Sequence, residues 1–294
     1  MHLQTYPYAC HFDRPTGADN PLDAERDANV CGALCVRAQA QYTGFMEKPL
    51  VLITGVGRSV GIGAGIARQL ASDGWDIAIN YWPSYDLKMP RSTSPSDLDG
   101  LIAELTAAGA QVIAVPGDLA QVDTAKMIFD TIAKNNRAAS GLVLSHCESV
   151  SSTILDTSLE SFEQHFAVNV RASWQLIREF ALQVPSEGGR IAALTSDSIV
   201  NNLPYGASKA ALDRIVLAAS REFAHLHIVS NVINPGPVDT GWMDDTIRLA
   251  CLARQPSGRL GTPADTANLV SFLFSDRGTW INGQLLKSDG GFSA

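Results

Sequence analysis

The chain has 294 residues, a formal net charge of −8 and a pI near 5.2, so it is long enough for one large α/β domain with an extensive core. Its acidity argues against general binding to nucleic acids or anionic membranes, because either partner favours a basic face. Five irregularly placed cysteines indicate no disulfide framework and no apolar run approaches the roughly 20 residues that span a bilayer, so we expect a cytoplasmic protein.

The first 46 residues differ from the rest of the chain. Pro, Asp, Arg and Asn are scattered through them without sustained periodicity, and we expect a disordered N-terminal extension. Cys31 and Cys35, together with Cys10 and His11, lack the paired ligand spacing of zinc modules, so we predict no metal site. Residues 47–294 are predicted to form a single domain.

From Leu50 onward, short β-rich apolar runs alternate with helical stretches. The pattern predicts strands at 50–54, 75–81, 112–115, 142–144, 190–195, 228–233 and 284–287. It predicts helices at 62–72, 98–108, 124–135, 159–184 and 205–224. This alternation is typical of a Rossmann-type α/β domain, in which helices cover both faces of a doubly wound parallel sheet.

A glycine-rich turn connects the first predicted strand to the first helix. Gly55, Gly61 and Gly63 let backbone N–H groups approach a phosphate, and the helix N-terminus that follows supplies unpaired donors and a partial positive charge. These features predict a dinucleotide site. A turn without a ligand is the alternative, because tight strand-to-helix turns need glycine for conformational reasons alone.

The same loop also fits a different enzyme class. Residues 57–61, Gly-Arg-Ser-Val-Gly, match the nucleophile elbow of α/β-hydrolases, in which Ser59 would be the nucleophile. A hydrolase of that type needs an acid and then a histidine late in the chain. Since no histidine follows His227, the hydrolase is the weaker hypothesis.

Tyr205 and Lys209 are a candidate acid/base pair. Pro204 can open a helix, and the four-residue spacing then places the phenol and the ammonium group on one face. Unperturbed Tyr and Lys both have pKa values near ~10. A neighbouring cation favours the phenolate and lowers the pKa of the tyrosine toward working pH. Taken alone, the pair also fits an ordinary surface helix.

Further motifs follow in chain order. They are Thr54-Gly55 with Gly61-Ile62-Gly63, Gly117-Asp118-Leu119, Asn169-Val170, Ser196, Tyr205 with Lys209, residues 234–240 (Asn-Pro-Gly-Pro-Val-Asp-Thr) and residues 280–284 (Trp-Ile-Asn-Gly-Gln). In this order they resemble the short-chain dehydrogenase/reductase family from about Lys48 to Phe292. Within the family, the general resemblance is to the 3-oxoacyl-carrier-protein reductase-like branch.

The resemblance implies a catalytic tetrad of Asn169, Ser196, Tyr205 and Lys209. Tyr205 would give a proton to a substrate carbonyl, and Ser196 would hold the carbonyl oxygen. Lys209 would favour the phenolate and bind the nicotinamide ribose, and Asn169 would order a water that joins Lys209 to solvent. The segment between Ser196 and Tyr205 is shorter than usual, so Ser198 is an alternative for the serine.

The resemblance also implies a nicotinamide cofactor. The expected binding residues are Gly55, Arg58, Gly61, Ile62, Gly63, Asp118, Leu119, Tyr205, Lys209, Pro235, Gly236, Val238 and Thr240, with the Asp118 carboxylate at the adenine amino group. The second strand ends in Asn80-Tyr81-Trp82, without the acid that takes the ribose hydroxyl of NAD. Because Arg58 stands where many NADP-dependent relatives carry a basic residue, and Lys88 and Arg91 follow Trp82, we predict NADP(H) over NAD(H).

The substrate is less sharply indicated. Residues 239–259 correspond to the family's mobile lid, and we expect a small carbonyl or alcohol, such as a 3-oxoacyl thioester or a related ketone. A carrier-bound acyl chain would need a basic landing area, for which Arg171, Arg178 and Arg254 are candidates. By family analogy, we expect a homotetramer or homodimer built from the helices that carry Asn169 and Tyr205.

One departure from the family pattern supports a second class of function. Ser145-His146-Cys147-Glu148 stands where the family usually has Asn-Asn-Ala-Gly. This departure and the shortened segment after Ser196 favour a catalytically weak dinucleotide sensor or scaffold. The presence of both Tyr205 and Lys209 favours the enzyme.

Overall fold

The computed structural model describes residues 47–86 and 95–294. The predicted N-terminal extension, with Cys10, His11, Cys31 and Cys35, lies outside the described residues. Lys88 and Arg91 also lie outside them, so the structure does not test their expected place near the cofactor.

Seven parallel strands form one sheet. They are β1 (Leu50–Thr54), β2 (Asp76–Tyr81), β3 (Val112–Pro116), β4 (Ala139–Leu144), β5 (Gly189–Leu194), β6 (Ile228–Asn234) and β7 (Leu285–Lys287). Their order across the sheet is β3-β2-β1-β4-β5-β6-β7. The predicted Rossmann-type fold is therefore confirmed.

Helices cover both faces of this sheet. They are α1 (Ile62–Ser72), α2 (Pro83–Asp86), α3 (Pro95–Ala107), α4 (Thr124–Lys134), α5 (Leu159–His165), α6 (Ala172–Gln183), α7 (Leu203–Glu222), α8 (Asp245–Arg254) and α9 (Pro263–Phe274). None of the helices within residues 47–86 and 95–294 combines the length and apolar character needed to cross a bilayer.

Side chains of each strand alternate between two buried clusters. In β1, Leu50 and Leu52 enter a cluster with α4, α6 and α7, whereas Val51 and Ile53 enter one with α1, α3 and α9. Full burial of such a side chain stabilises the fold by about 1.5–3 kcal/mol. Because both faces are covered, the central strand β1 is apolar up to its last residue, Thr54.

The strand ends meet at a crevice between β1 and β4. The connections from β1 through β2 to β3 run to one side of the sheet, and those from β4 through β6 run to the other. Parallel sheets of this kind bind ligands at the carboxyl ends of the strands, beside the point where the strand order reverses.

The long helix predicted at 159–184 is divided in the structure. Between α5 and α6, residues Phe166–Arg171 form a π-helical segment that contains Asn169. Single π-helical turns inside α-helices occur frequently at functional sites.

Helix α9, which is absent from the predicted elements, packs directly on α1. A Cβ added at Gly65 of α1 would lie 2.7 Å from the Cβ of Pro263, so the backbones approach closely there. Thr262 and Asp265 form a capping box at the start of α9. A capping box is a sequence pattern that marks the start of a helix, so α9 could have been predicted from these two residues.

The base of the sheet contains a buried ion pair. Arg137 Nη1 lies 2.8 Å from Asp76 Oδ2, and the side chains are 7% and 3% exposed. The other carboxylate oxygen accepts from the Gln111 N–H at 2.8 Å, and Arg137 Nη2 donates to the Lys48 carbonyl at 2.6 Å. Asp76 thereby joins the start of β2 to the segments before β1, β3 and β4.

Replacing Asp76 with Ala should lower the free energy of unfolding by about 3–5 kcal/mol, because it breaks a buried ion pair by removing the carboxylate that bonds to Arg137 and to the Gln111 N–H. Urea denaturation at neutral pH measures the change. Asp130→Ala is the control, since Asp130 pairs with Lys126 on the exposed face of α4, with side chains 47% and 66% exposed. It should hardly move the midpoint. Equal shifts in both variants would contradict the prediction.

Candidate active site

A cavity of about 740 Å³ opens at the carboxyl edge of the sheet. Its walls come from the loops that follow β1 to β6 and from the segment that leads into α8. Every residue predicted to bind the cofactor lines this cavity, and so does Ser196. Asn169 is fully buried behind the wall.

The glycine-rich loop forms one end of the cavity. Gly61 precedes α1 without a side-chain cap, so the N–H groups of the first turn are free to bind a ligand. Gly55 has a φ of +73°, and a Cβ at this position would lie 2.7 Å from the Cα of His146. Only glycine fits this close approach between the ends of β1 and β4.

The outer part of the same loop is fixed by polar contacts. The Ser59 N–H donates to Asp97 Oδ2 at 2.7 Å, and the Ser59 carbonyl accepts from Arg68 Nη1 at 2.7 Å. Arg68 is in turn held by Glu104. These contacts tie Ser59 to α1 and α3 rather than to a histidine, which disfavours the hydrolase hypothesis.

The loops after β2 and β3 form the adjoining wall. Asn80 Nδ2 donates to the carbonyls of Val115 and Gly117, both at 3.2 Å, and so holds the ends of these two strands together. The Asp118 carboxylate lines the cavity and accepts from the Ala120 N–H at 2.8 Å. The carboxylate that is predicted to contact the adenine amino group therefore lies in the cavity wall, and this contact stays a prediction.

Arg58 connects two walls of the cavity. Its Nη1 lies 3.4 Å from the Thr240 carbonyl oxygen, on the loop that follows β6. The guanidinium is only partly buried, and it carries a positive charge at the glycine-rich loop.

Tyr205 and Lys209 lie one turn apart on α7. The Lys209 Nζ is 5.7 Å from the centre of the Tyr205 ring and donates to the Leu194 carbonyl at 2.8 Å. Ser196 lies close enough to Tyr205 to lower the pKa of the phenol. Ser198 donates its backbone N–H to Ser196 Oγ at 3.2 Å and is not among the groups that shift the pKa of Tyr205.

The prediction that Lys209 lowers the pKa of Tyr205 is wrong for this structure. Burial raises the pKa of Tyr205, the nearby Cys147 raises it further, and the Ser196 hydrogen bond opposes them. The ammonium group donates to the Leu194 carbonyl and lies over the ring, and Lys209 is not among the groups that shift the pKa of Tyr205. Burial also lowers the pKa of Lys209 itself.

A close approach also shapes the loop that carries Ser196. A Cβ added at Gly206 would collide with the Ser198 carbonyl oxygen. The short segment between β5 and α7 thus packs directly on the first turn of α7. This contact fixes Ser198, two residues after Ser196, against the start of α7.

Asn169 fixes the floor of the cavity from behind. Its Oδ1 accepts from the Glu148 N–H at 2.7 Å, and its Nδ2 donates to the Glu148 carbonyl at 3.0 Å and to Ser208 Oγ at 2.8 Å. The π-helical segment is therefore connected to both the loop after β4 and helix α7.

His146, which the motifs did not identify as functional, lies at the centre of this floor. Its Nδ1 is 2.6 Å from Thr54 Oγ1, and its Nε2 is 3.1 Å from the Val168 carbonyl oxygen and 3.2 Å from Ser173 Oγ. The ring is 7% exposed. Burial, and then the charge of Lys209, lower its pKa to about 3.

Helix α8 lies within the segment predicted to form the lid. Ile247, Cys251 and Arg254 line the cavity from one face of this helix, and Trp242 and Met243 line it from the segment before the helix. The Arg254 guanidinium stands 4.6 Å from the centre of the Phe292 ring.

The arrangement can perform proton transfer beside a bound dinucleotide. A phenol held by a serine hydroxyl lies in a cavity whose far end presents free backbone N–H groups. Such a phenol can exchange a proton with a carbonyl oxygen that binds within hydrogen-bonding distance.

Comparisons with known proteins agree with this geometry. The family model described as Enoyl-(Acyl carrier protein) reductase matches residues 55–293. Uncharacterized oxidoreductase YjdA of Bacillus subtilis is 33% identical over 253 residues, which cover 84% of this chain and 97% of that protein.

The names of two further relatives mention NADPH or NADP. The NADPH-dependent aldehyde reductase-like protein, chloroplastic, of Arabidopsis thaliana is 32% identical over 85% of this chain and 98% of its own length. A solved short chain dehydrogenase from Burkholderia cenocepacia in complex with NADP has a TM-score of 0.74 and 29% identity, covering 84% of this chain and 98% of that one. From the family match and these identities, the chain belongs to the short-chain dehydrogenase/reductase family.

Proposed function

We propose that this oxidoreductase reduces a small carbonyl compound to an alcohol with NADPH, and that Tyr205 is its proton donor. The observation that carries the proposal is that Tyr205, Ser196 and Lys209 line one cavity, where Ser196 lowers the pKa of the phenol and Lys209 lies one helical turn away. The arrangement combines a positioned acid with a group that can orient a carbonyl oxygen.

The cavity fits a nicotinamide dinucleotide. The uncapped first turn of α1 offers N–H donors for a pyrophosphate. β2 ends without an acid, and Arg58 supplies a cation, both of which favour a 2′-phosphate. The NADPH-dependent Arabidopsis relative and the NADP-bound Burkholderia structure support the same choice.

Each member of the tetrad has a distinct task in this proposal. Reduced nicotinamide supplies the hydride when it is bound. Ser196 orients the carbonyl oxygen, and Tyr205 donates a proton to that oxygen. Lys209 uses one N–H for the Leu194 carbonyl and retains others for the ribose hydroxyls, while Asn169 fixes the floor.

The lid favours a ketone with an apolar portion. Trp242, Met243 and Ile247 offer apolar surface to the cavity, which suits a 3-oxoacyl thioester or a related ketone. Of the three arginines considered for a carrier protein, Arg171 bonds to the Ala120 carbonyl and Arg178 pairs with Glu179. Arg254 is therefore the best placed of the three, beside the cavity mouth.

Tyr205→Phe should lower kcat for carbonyl reduction by about 10²–10⁴-fold, because it removes the proton donor and leaves the ring in place. We expect the Kd for NADPH to change little in this variant. Absorbance of reduced nicotinamide over a panel of ketones, aldehydes and 3-oxoacyl thioesters measures turnover, and fluorescence titration measures binding.

The panel also separates the enzyme from a dinucleotide sensor. NADPH binding without turnover of any carbonyl by the unaltered protein would favour the sensor. Full activity of the Phe variant would show that another group donates the proton.

NADPH should bind at least about tenfold more tightly than NADH. Arg58→Ala should remove about 1.5–3 kcal/mol of NADPH binding, the range for a charged hydrogen bond, and weaken NADH binding much less. Arg254→Ala, which removes a cation at the lid, is the matched control and should leave the ratio of the two Kd values unchanged. Equal affinities of the unaltered protein for NADPH and NADH would refute the cofactor assignment.

The pH dependence of alcohol oxidation with NADP⁺ should show whether Cys147 raises the pKa of Tyr205. The reverse reaction needs the Tyr205 phenolate, so its rate rises as pH rises through the pKa of the phenol. Cys147 raises that pKa. Cys147→Ala should therefore move the rising limb of the pH profile of kcat/KM to lower pH, measured from neutral pH to the most alkaline pH at which the protein stays folded.

Cys251 provides the control for this experiment. It is the other free cysteine lining the cavity in the described part of the chain, and it is not among the groups that shift the pKa of Tyr205. Cys251→Ala should leave the rising limb of the pH profile where it is. If Cys147→Ala also leaves it unmoved, Cys147 does not raise the pKa of Tyr205.

A further inference from the structure

His146 lies between the two halves of the site. On one side is Thr54, the last residue of β1, which leads into the glycine-rich loop. On the other side are the Val168 carbonyl of the π-helical segment and Ser173 of α6. Both ring nitrogens of His146 are thus engaged, at 2.6 Å and at 3.1–3.2 Å.

The partners define which ring nitrogen carries the proton. A carbonyl oxygen only accepts, so Nε2 must be the N–H that faces Val168. Nδ1 of the neutral ring then accepts from the Thr54 hydroxyl, whose oxygen also receives the Ser145 N–H at 3.2 Å. Ser173 Oγ is within reach of the same Nε2–H and donates to the Asn169 carbonyl at 2.9 Å.

The contacts continue to the proposed catalytic group. Val168 directly precedes Asn169, and Ser173 bonds to the carbonyl of Asn169. His146 therefore holds the backbone on both sides of Asn169, whose amide in turn holds Glu148 at the cavity floor. The low pKa of His146 keeps the ring neutral at ordinary pH, which excludes proton donation as its role.

We propose that His146 is a positioning residue that acts through two separable contacts, in the place where the family usually has an amide side chain. The Nε2 contact sets the position of Asn169, and the Nδ1 contact sets the cofactor loop through Thr54. The kinetic part of this inference rests on the proposed reductase function. The structural part, that His146 positions Asn169 and the cofactor loop, does not depend on that function.

Two amide substitutions separate these contacts. The amide of Asn reaches about as far as Nδ1 of histidine, and the longer Gln side chain reaches about as far as Nε2. His146→Asn therefore retains a partner for Thr54 and loses the link to Val168 and Ser173. His146→Gln retains the link to the π-helical segment and loses the link to Thr54.

The expected effects divide accordingly. His146→Asn should lower kcat by about 10–100-fold, the cost of misplacing a supporting group by about 1 Å, with the Kd for NADPH within about threefold of the original. His146→Gln should raise the Kd for NADPH by about tenfold or more and retain most of kcat. Steady-state kinetics and fluorescence titration measure the two quantities.

Amide hydrogen exchange at Glu148 tests the same inference without turnover. The Glu148 N–H is bonded to Asn169 Oδ1, so displacement of Asn169 should speed its exchange. We expect about tenfold faster exchange in His146→Asn and little change in His146→Gln. This measurement remains informative if the unaltered protein reduces no carbonyl. That outcome would contradict the proposed function but not the positioning role of His146.

His165 provides a matched control. This histidine is also fully buried, and its two ring nitrogens bond to the Ser161 carbonyl at 2.6 Å and the Val150 N–H at 3.0 Å. His165→Gln should lower Tm to a similar extent without separating kcat from the Kd for NADPH. If both His146 variants lower kcat, cofactor affinity and Tm in parallel, or if neither changes Glu148 exchange, the residue only packs and the inference is wrong.

Discussion

The polar chemistry of this protein depends on the close approach of the ends of β1 and β4. Gly55 adopts a left-handed conformation there and leaves no room for a side chain against His146. The sheet is buried on both faces, so its polar side chains reach a ligand only at this edge. The approach places the glycine-rich turn beside the loop whose backbone Asn169 holds, in the same cavity as Tyr205, the proposed proton donor.

Burial and charge compete at the proton donor. Proximity of Lys209 alone would favour the phenolate of Tyr205, but the ring lies in a cavity wall and the ammonium group bonds to the Leu194 carbonyl. Desolvation therefore dominates and raises the pKa of the phenol. A protonated phenol suits carbonyl reduction, in which the tyrosine gives up a proton.

Much of the fold could be predicted from the sequence, because strands such as 50–54 are apolar throughout and the turns between elements carry glycine. The site residues could be named only jointly, through ordered motifs, since spacing alone does not distinguish Tyr205 from a surface tyrosine. The π-helical segment could not be predicted from local sequence, since the contacts that Asn169 makes there, with Glu148 and Ser208, join residues distant in sequence. His146 was seen as part of a departure from the family pattern, but its role could not be assigned, since its partners at Thr54, Val168 and Ser173 are also distant in sequence.

The packing of α9 on α1 has a consequence for synthesis of the chain. Gly65 meets Pro263 almost backbone to backbone, although nearly 200 residues separate them. The helix that presents the phosphate-binding turn leaves the ribosome well before its covering partner. Part of its apolar face stays uncovered until α9 emerges, so the nascent chain depends on this later closure, and a premature stop before α9 exposes this surface to aggregation and proteolysis.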